Sequence, residues 1–383
     1  MKPKLPAKTE KKKPKEKELV IREDEPRGIS HEDYYEANED KKEPTVKHGK
    51  PEKALSTKHL LRIIVLLFLS VFLLIMWLNR DNFSPENLGT WFKTKIMGAG
   101  VGDGFPVPLT GTSASSGNFF DSDGNCVVMS DTSLSVLNST GREIFSYRHS
   151  YNNPAISGSQ GKYLLYNIGG TGFSLVSPGR DTQKKVAPDK ISLGALAKNG
   201  RYALSLQSPN YASQLNVYLP GGTLKATYKF AEGYASGLAI NSDCTGGMLS
   251  TILSENGKLY SKLYVYDFNK EEPVATYTTE NNVITEIGYH QNGSYYAVGD
   301  KKLVHMDPAG VFSEYDYSGK NLTATSLDSE TILISVSSYP RNGACTILVF
   351  TGSATPTVLQ TDDHVSDLSA YATVFAALIG DQV

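Results

Sequence analysis

Three hydropathy regimes follow one another along the chain. Residues 1–58 mix charge with proline and carry no apolar periodicity. Residues 60–78 read LLRIIVLLFLSVFLLIMWL, an almost unbroken apolar run. After residue 104 the pattern becomes short alternating runs, such as CVVMS (126–130), KYLLYNI (162–168), RYALSLQ (201–207), KLYVYDF (262–268), SYYAVGD (294–300) and TILISVS (331–337). Period-two runs of that length, bounded by Gly, Asn, Asp and Ser, predict β-strands, and their close spacing predicts an all-β domain. The middle run predicts one helix. The first region cannot bury enough apolar surface to offset its ordering entropy and is expected to be disordered.

The strand region repeats. A small polar turn precedes a strand at DSDGNCVVM (121–129), GSQGKYLLY (158–166), AKNGRYALS (197–205), NSDCTGGML (241–249) and HQNGSYYAV (290–298). Gly124, Gly161 and Gly200 are 37 and 39 residues apart, and Gly293 follows 93 residues later, with the 241–249 turn between. A second strand–turn–strand element sits in each unit, as in LSVLNSTGREI (134–144) and LYVYDFNKEEPVATY (263–277). Four strands per repeat of about 40–47 residues is the pattern of a WD40-like β-propeller. Blades are expected to begin near Asn118, Ile156, Leu193, Gly237, Ile287 and Ser326. A seventh begins near Asp367, with room for two strands before Val383. The expected fold is therefore a propeller of six to seven blades with the last blade incomplete, unless a strand around Phe105–Leu109 completes it. A two-sheet sandwich array is the alternative.

The apolar run has the length of a membrane span. Ile63–Leu78 holds 16 residues without charge, and Leu60 and Leu61 extend it. About 20 such residues cross a hydrocarbon core roughly 30 Å thick. Arg62 lies near one end, where its long side chain can reach the headgroups, and Trp77 suits the opposite interface. A cleaved signal peptide has a shorter apolar stretch near the start; here 59 residues come first. Lys47, Lys50, Lys53, Lys58 and Arg62 on one flank outnumber Arg80, Lys93 and Lys95 on the other. The excess predicts a cytoplasmic N-terminus and an extracellular C-terminal domain. The expected organisation is a charged cytoplasmic tail (1–58), a signal-anchor helix (60–78) that partners the lipid bilayer, a stalk (79–104) and the β-domain (105–383).

Charge is unevenly shared. The tail holds 16 Lys+Arg against 13 Asp+Glu, and the part after Leu78 holds 21 against 27. A mildly acidic β-domain offers no footprint for nucleic acid. Cys126, Cys244 and Cys345 are few, odd in number and far apart, which argues against a disulfide framework or a zinc site. Free structural thiols are expected.

GAGVGDGFPVPLTG (98–111), VMSDTSLSVLNSTGREIFSYRHSYNNPA (128–155) and YLLYNIGGTGFSLVS (163–177), behind a charged tail and single anchor, resemble an uncharacterised family of Gram-positive bacterial membrane-anchored proteins, known only as a domain of unknown function. The resemblance covers roughly residues 90–380 and is most specific over Gly102–Ser177. It implies an outward-facing propeller-like domain and assigns no activity, ligand or catalytic residue. Family members usually continue through the last blade, and this chain departs from them there.

No catalytic constellation stands out. There is no G-x-S-x-G elbow, phosphate loop or H-E-x-x-H helix. His149, His290, His305 and His364 are scattered, and each reads as a surface or internally satisfied histidine. Asp121, Asp123 and Asn125 alternate around Gly124 but lack the distal acid of a calcium loop, so an ordinary Asx turn is expected. No metal, cofactor or enzymatic activity is predicted. The polar, aromatic run Arg148–Pro154 is the leading contact loop, with Arg148, His149, Tyr151, Asn152 and Asn153 as contact residues, because loops on a rigid scaffold carry binding. The expected role is a non-enzymatic binding or scaffold protein of the cell envelope, with an envelope protein or cell-wall component as partner. The alternatives are an extracellular hydrolase of glycan or peptide, and a sensor signalling through the tail.

Overall fold

The computed structural model describes residues 57–78, 100–380 and 382. Residues 1–56 of the expected cytoplasmic tail and most of the expected stalk lie outside the described residues. Residues Thr57–Leu78 form one α-helix, α1, starting three residues before the expected span. Leu61, Ile63–Leu67, Phe68 and Leu69 expose large apolar side chains along it. Among the residues whose side chains are described, no helix is long and apolar enough to cross a membrane.

The remainder is a β-propeller. Blade 1 comprises β1 (Ala114–Ser122), β2 (Asn125–Ser130), β3 (Ser133–Leu137) and β4 (Glu143–Arg148). Blade 2 comprises β5 (Pro154–Ser159), β6 (Lys162–Asn167), β7 (Gly172–Val176) and β8 (Gln183–Val186). Blade 3 comprises β9 (Lys190–Leu196), β10 (Tyr202–Gln207), β11 (Ser213–Tyr218) and β12 (Leu224–Phe230). Blade 4 comprises β13 (Tyr234–Ile240), β14 (Gly246–Glu255), β15 (Lys258–Asp267) and β16 (Ala275–Glu280). Blade 5 comprises β17 (Ile284–Tyr289), β18 (Tyr295–Gly299), β19 (Lys302–Met306) and β20 (Phe312–Asp316). Blade 6 comprises β21 (Asn321–Leu327), β22 (Ile332–Ser337), β23 (Cys345–Phe350) and β24 (Thr357–Thr361). A seventh sheet holds β25 (Val365–Tyr371) and β26 (Val374–Ile379). Every sheet is an antiparallel meander in chain order. The first strands of successive sheets touch one another from β1 through to β25, so they line the axis.

Burial explains the strand patterns. Second strands are covered on both faces by neighbouring blades, and β18 and β22 are buried throughout. Outermost strands β8 and β24 are mostly exposed. That is why YYAVG and ILISVS read as continuous apolar runs while TVLQT does not. The core lies between blades rather than within them. Each pair of successive sheets shares one cluster, such as Leu164, Tyr166 and Phe173 of blade 2 against Ile191, Tyr202 and Leu204 of blade 3. Leu333, Cys345 and Ile347 of blade 6 meet Val365 and Leu368 of the seventh sheet.

A recurrent clamp fixes the angle between blades. A third-strand residue paired with the end of the fourth strand reaches the backbone where the chain enters the next blade. Ser213 Oγ donates to Gly233 O (3.0 Å) and accepts from Ala235 N (2.9 Å). Ser261 Oγ donates to Asn282 O (2.7 Å) and accepts from Ile284 N (3.0 Å). Cys345 occupies the equivalent place in blade 6, where its Sγ accepts from Val365 N (3.2 Å).

Phe105–Leu109 is not a strand, so the alternative in which it completes the last blade does not hold. Pro106 and Pro108 remove two of the amide donors that a ladder needs. The stretch instead crosses blade 1. Gly104 N bonds Thr140 O beyond one end of β3, and Thr110 O accepts from the Ser130 and Ser133 hydroxyls at the other. The seventh sheet is thus not completed by these residues.

Candidate functional site: the connection end of the propeller

A four-stranded meander puts its first and third turns at one end and its middle turn at the other, with the connection to the next blade. The predicted contact loop, Arg148–Pro154, lies there between β4 and β5. Its histidine and tyrosine are half-buried fixtures. His149 Nε2 donates to Ser130 O (3.1 Å) and its Nδ1 accepts from Tyr151 N (3.3 Å), which sets the neutral tautomer. Burial pushes the His149 pKa down, against the Ser130 carbonyl and Asp131, which raise it. The Tyr151 ring stacks on His149 at 5.3 Å, and its hydroxyl meets Ser174 Oγ at 2.7 Å. Asn153 is pinned through its backbone: its N–H donates to Asn167 Oδ1 and its carbonyl accepts from Ile168 N. Arg148, Asn152 and Asn153 are exposed. The loop therefore brings His149 and Tyr151 together as a blade joint and leaves Arg148 and the two asparagines to meet solvent.

The most prominent feature of this end lies in blade 4. Strands β14 and β15 have 10 residues each. The second and third strands of blades 1, 2, 3, 5 and 6 have five or six. The inner strand β13 stops pairing at Tyr234↔Ile252, and β16 stops at Glu280↔Tyr260, so the last turn of the hairpin stands clear of its own sheet. Asn256 (φ 51°) and Gly257 (φ 77°) close it, both in the left-handed region that a two-residue hairpin turn requires. Register places Tyr234, Ile252 and Leu259 on one face of the hairpin, since Ile252 opposes Ser261 and Leu259 opposes Ser254. Tyr234 is 69% exposed and Leu259 45%. The signal was present in the sequence as an unusually long alternation, TILSENGKLYSKLYVYDF (251–268), broken only by Asn-Gly.

A second concavity opens on the axis. Leu193, Gly194, Ser236, Gly237, Thr285, Glu286, Ile287 and Leu327 of the inner strands line a cleft of about 200 Å³. Glu286 is held there by Thr325 Oγ1, which donates to its Oε2 (2.8 Å).

The remaining chemistry-bearing residues are built into the scaffold. His290 repeats the His149 arrangement, donating from Nε2 to Glu330 O (2.9 Å) and accepting at Nδ1 from Asn292 N (3.2 Å). His305 departs from expectation: it is buried and its Nε2 has no hydrogen-bond partner. Its ring packs 4.7 Å from Tyr296. His364 Nδ1 lies 3.7 Å from Cys345 Sγ. Asp123 and Gly124 form the β1–β2 turn with φ of 54° and 70°, and Asn125 Nδ2 donates back to Asp123 O, the geometry of an Asx-rich hairpin turn. All three cysteines are free thiols; Cys244 and Cys345 are buried and Cys126 is partly exposed. Among the described residues no three His, Cys, Asp or Glu side chains gather where they could hold a metal ion.

Comparison with known proteins gives a family and a fold. Residues 109–337 match a family of unknown function, DUF5711. No curated protein matches the sequence. The structure is similar to the β-propeller domain of Cps50 (Swd1) from Myceliophteria thermophila, with a TM-score of 0.51 at 12% identity, covering 72% of this chain and 97% of that one. It is also similar to hydrazine synthase of Kuenenia stuttgartiensis, with a TM-score of 0.50 at 11% identity, covering 72% of this chain and 100% of that one. At such identities the likeness concerns the fold alone.

Proposed function

The chain belongs to DUF5711, a family of unknown function, and from that premise we propose that it is a membrane-anchored, extracytoplasmic propeller of a Gram-positive envelope that binds a partner protein without catalysing a reaction. The observation that carries the binding role is the blade 4 hairpin, with Tyr234 and Ile252 at the edge of the sheet and Leu259 beyond it on the same face. Aromatic and aliphatic groups raised on a rigid scaffold act as anchors for a partner's pocket. The exposed Arg148, Asn152 and Asn153 lie at the same end and supply polar rim contacts.

The anchor reading rests on the whole of α1. It has 22 residues, a length of about 33 Å at 1.5 Å per residue, against a hydrocarbon core of roughly 30 Å. From Leu60 to Leu78 its one charge is Arg62. The Lys/Arg excess on the N-terminal flank favours a propeller outside the cell.

Cross-linking in intact cells tests the role. The full chain should capture a specific envelope protein, and Leu259→Arg with Tyr234→Ser should abolish capture while thermal stability is kept. Capture unchanged by both substitutions would remove the hairpin from the interface. The topology is tested by protease added outside protoplasts, which should digest the propeller; a shielded propeller would refute the orientation.

A further inference from the structure

The opposite end of the propeller carries a separate cleft, between blades 2 and 3. Its volume is about 110 Å³, and its polar lining includes Lys162, Ser177, Arg180, Asp181, Gln183 and Asn199. Pockets for drug-sized ligands run to roughly 300–1,000 Å³, so this one suits a single small group. Two of the six side chains are cations. Lys162 Nζ donates to Lys198 O (2.8 Å), which holds the ammonium in place and leaves its other two N–H bonds free to donate. Gly200 (φ 88°) forms the wall beside it, and a Cβ there would come within 3.4 Å of Pro220 and 3.9 Å of Lys162 Nζ. Among the described residues the ion pair formed is Lys302–Glu314, and no carboxylate lies within ion-pairing distance of Lys162 or Arg180. Neither cation is therefore held in an ion pair. Asp181 lines the same cleft without pairing with either.

We propose that this cleft binds a phosphoryl group that bears neighbouring hydroxyls, of the glycerol phosphate class. Lys162 and Arg180 take the phosphoryl oxygens, the guanidinium through its planar fork. Asp181, an acceptor when ionised, takes a ligand hydroxyl and disfavours a bare inorganic dianion, while Ser177, Gln183 and Asn199 supply further polar contacts. Such a group can come from a soluble phosphate ester or from a phospholipid headgroup. The cleft is remote from the hairpin in the fold, at the other end of the blades, so its occupancy and partner capture fail or succeed independently.

Isothermal titration of the full chain in neutral detergent tests it. The arms are glycerol 3-phosphate, inorganic phosphate and a water-soluble short-chain phosphatidylglycerol, with short-chain phosphatidylcholine as reference. Glycerol 3-phosphate should bind with a Kd no weaker than about 1 mM and more tightly than inorganic phosphate. Lys162→Gln with Arg180→Gln should weaken it at least about tenfold, the loss expected for a charge-assisted hydrogen bond. Asp181→Asn should erase the preference over inorganic phosphate. Lys258→Gln, on the hairpin, should change nothing. Tighter binding of phosphatidylglycerol than of glycerol 3-phosphate assigns the headgroup as the source, and equal or weaker binding assigns the soluble ester. No binding in any arm, or equal binding by the double variant with its melting temperature unchanged, would overturn the proposal.

Discussion

Replacing Ser261 by alanine isolates the clamp between blades 4 and 5. Ser261, Asn282 and Ile284 are all fully buried. The hydroxyl at once donates to Asn282 O and accepts from Ile284 N, at 2.7 and 3.0 Å. The substitution leaves one carbonyl and one amide without that partner in a site closed to water. A buried polar group left unsatisfied costs about 1–3 kcal/mol. The two together put the loss at about 2–4 kcal/mol, allowing for the small gain from burying a methyl group. For a domain of this size 1 kcal/mol moves Tm by roughly 2–4 °C, so scanning calorimetry should show a fall of roughly 4–16 °C. Ser254→Ala on the exposed hairpin should leave Tm within about 2 °C, since surface changes stay within ±0.5 kcal/mol. Hydrogen exchange adds a local readout: the Ile284 amide should lose protection beyond the global change. A Ser261→Ala protein with wild-type Tm and a protected Ile284 amide would show that water or a backbone shift replaces the hydroxyl, and the clamp would not hold the blades.

Cys345→Ser should be neutral or mildly stabilising in urea denaturation, because serine does this work in blades 3 and 4, whereas Cys345→Ala should destabilise by about 1–3 kcal/mol. Tyr317→Phe should leave stability unchanged or raise it by up to about 1 kcal/mol, because the buried hydroxyl has no partner to lose; a loss above that would reveal one. Glu314→Gln should cost about 0.5–1 kcal/mol, since Glu314 joins Lys302 (2.8 Å) and Thr279 of the neighbouring blade (2.6 Å). Partial burial raises the Glu314 pKa, but the Lys302 and Thr279 hydrogen bonds outweigh it and hold the group below its ordinary value. Its contribution is therefore present above the unfolded carboxylate pKa and lost as pH falls below it, a loss that thermal melts from pH 6 to pH 3 should show reduced in the variant.

Much of the fold is legible in the chain because the propeller repeats. The expected blade starts at Asn118, Ile156, Leu193, Gly237, Ile287, Ser326 and Asp367 all fall inside the inner strands β1, β5, β9, β13, β17, β21 and β25. Two-residue turns with positive φ, such as Asp123–Gly124 and Gln160–Gly161, punctuate the sequence because few residues tolerate that backbone. The alternative of a strand at Phe105–Leu109 fails for the opposite reason. Alternation of apolar residues with proline copies the period of a strand while removing its donors. The clamps were illegible because their partners are 20–23 residues apart and depend on inter-blade register. The contact loop was legible as a loop, but nothing in RHSYNNP distinguishes a histidine that meets a ligand from one that closes on Ser130 O.

His305 shows most sharply what composition hides and register reveals. Its neighbours in the ladder are Tyr296 and Ser313, so the imidazole is carried into the interior, where its Nε2 finds no partner. Burial is the main cause that pushes its pKa down; His290 pushes the same way and Asp307 opposes. A depressed histidine pKa means that the folded state disfavours the proton that the unfolded chain accepts near 6.5. Stability from the neutral ring is complete above about pH 6.5 and declines as pH falls through it. His149, lowered by the same cause, adds in the same direction. Tm should thus drop between pH 7.5 and pH 5. His305→Phe removes the titrating group and the unpartnered nitrogen while keeping a ring against Tyr296, so its melting temperature should depend less steeply on pH over that range. A slope identical to wild type would assign the acid sensitivity elsewhere, to His149 or to the carboxylates.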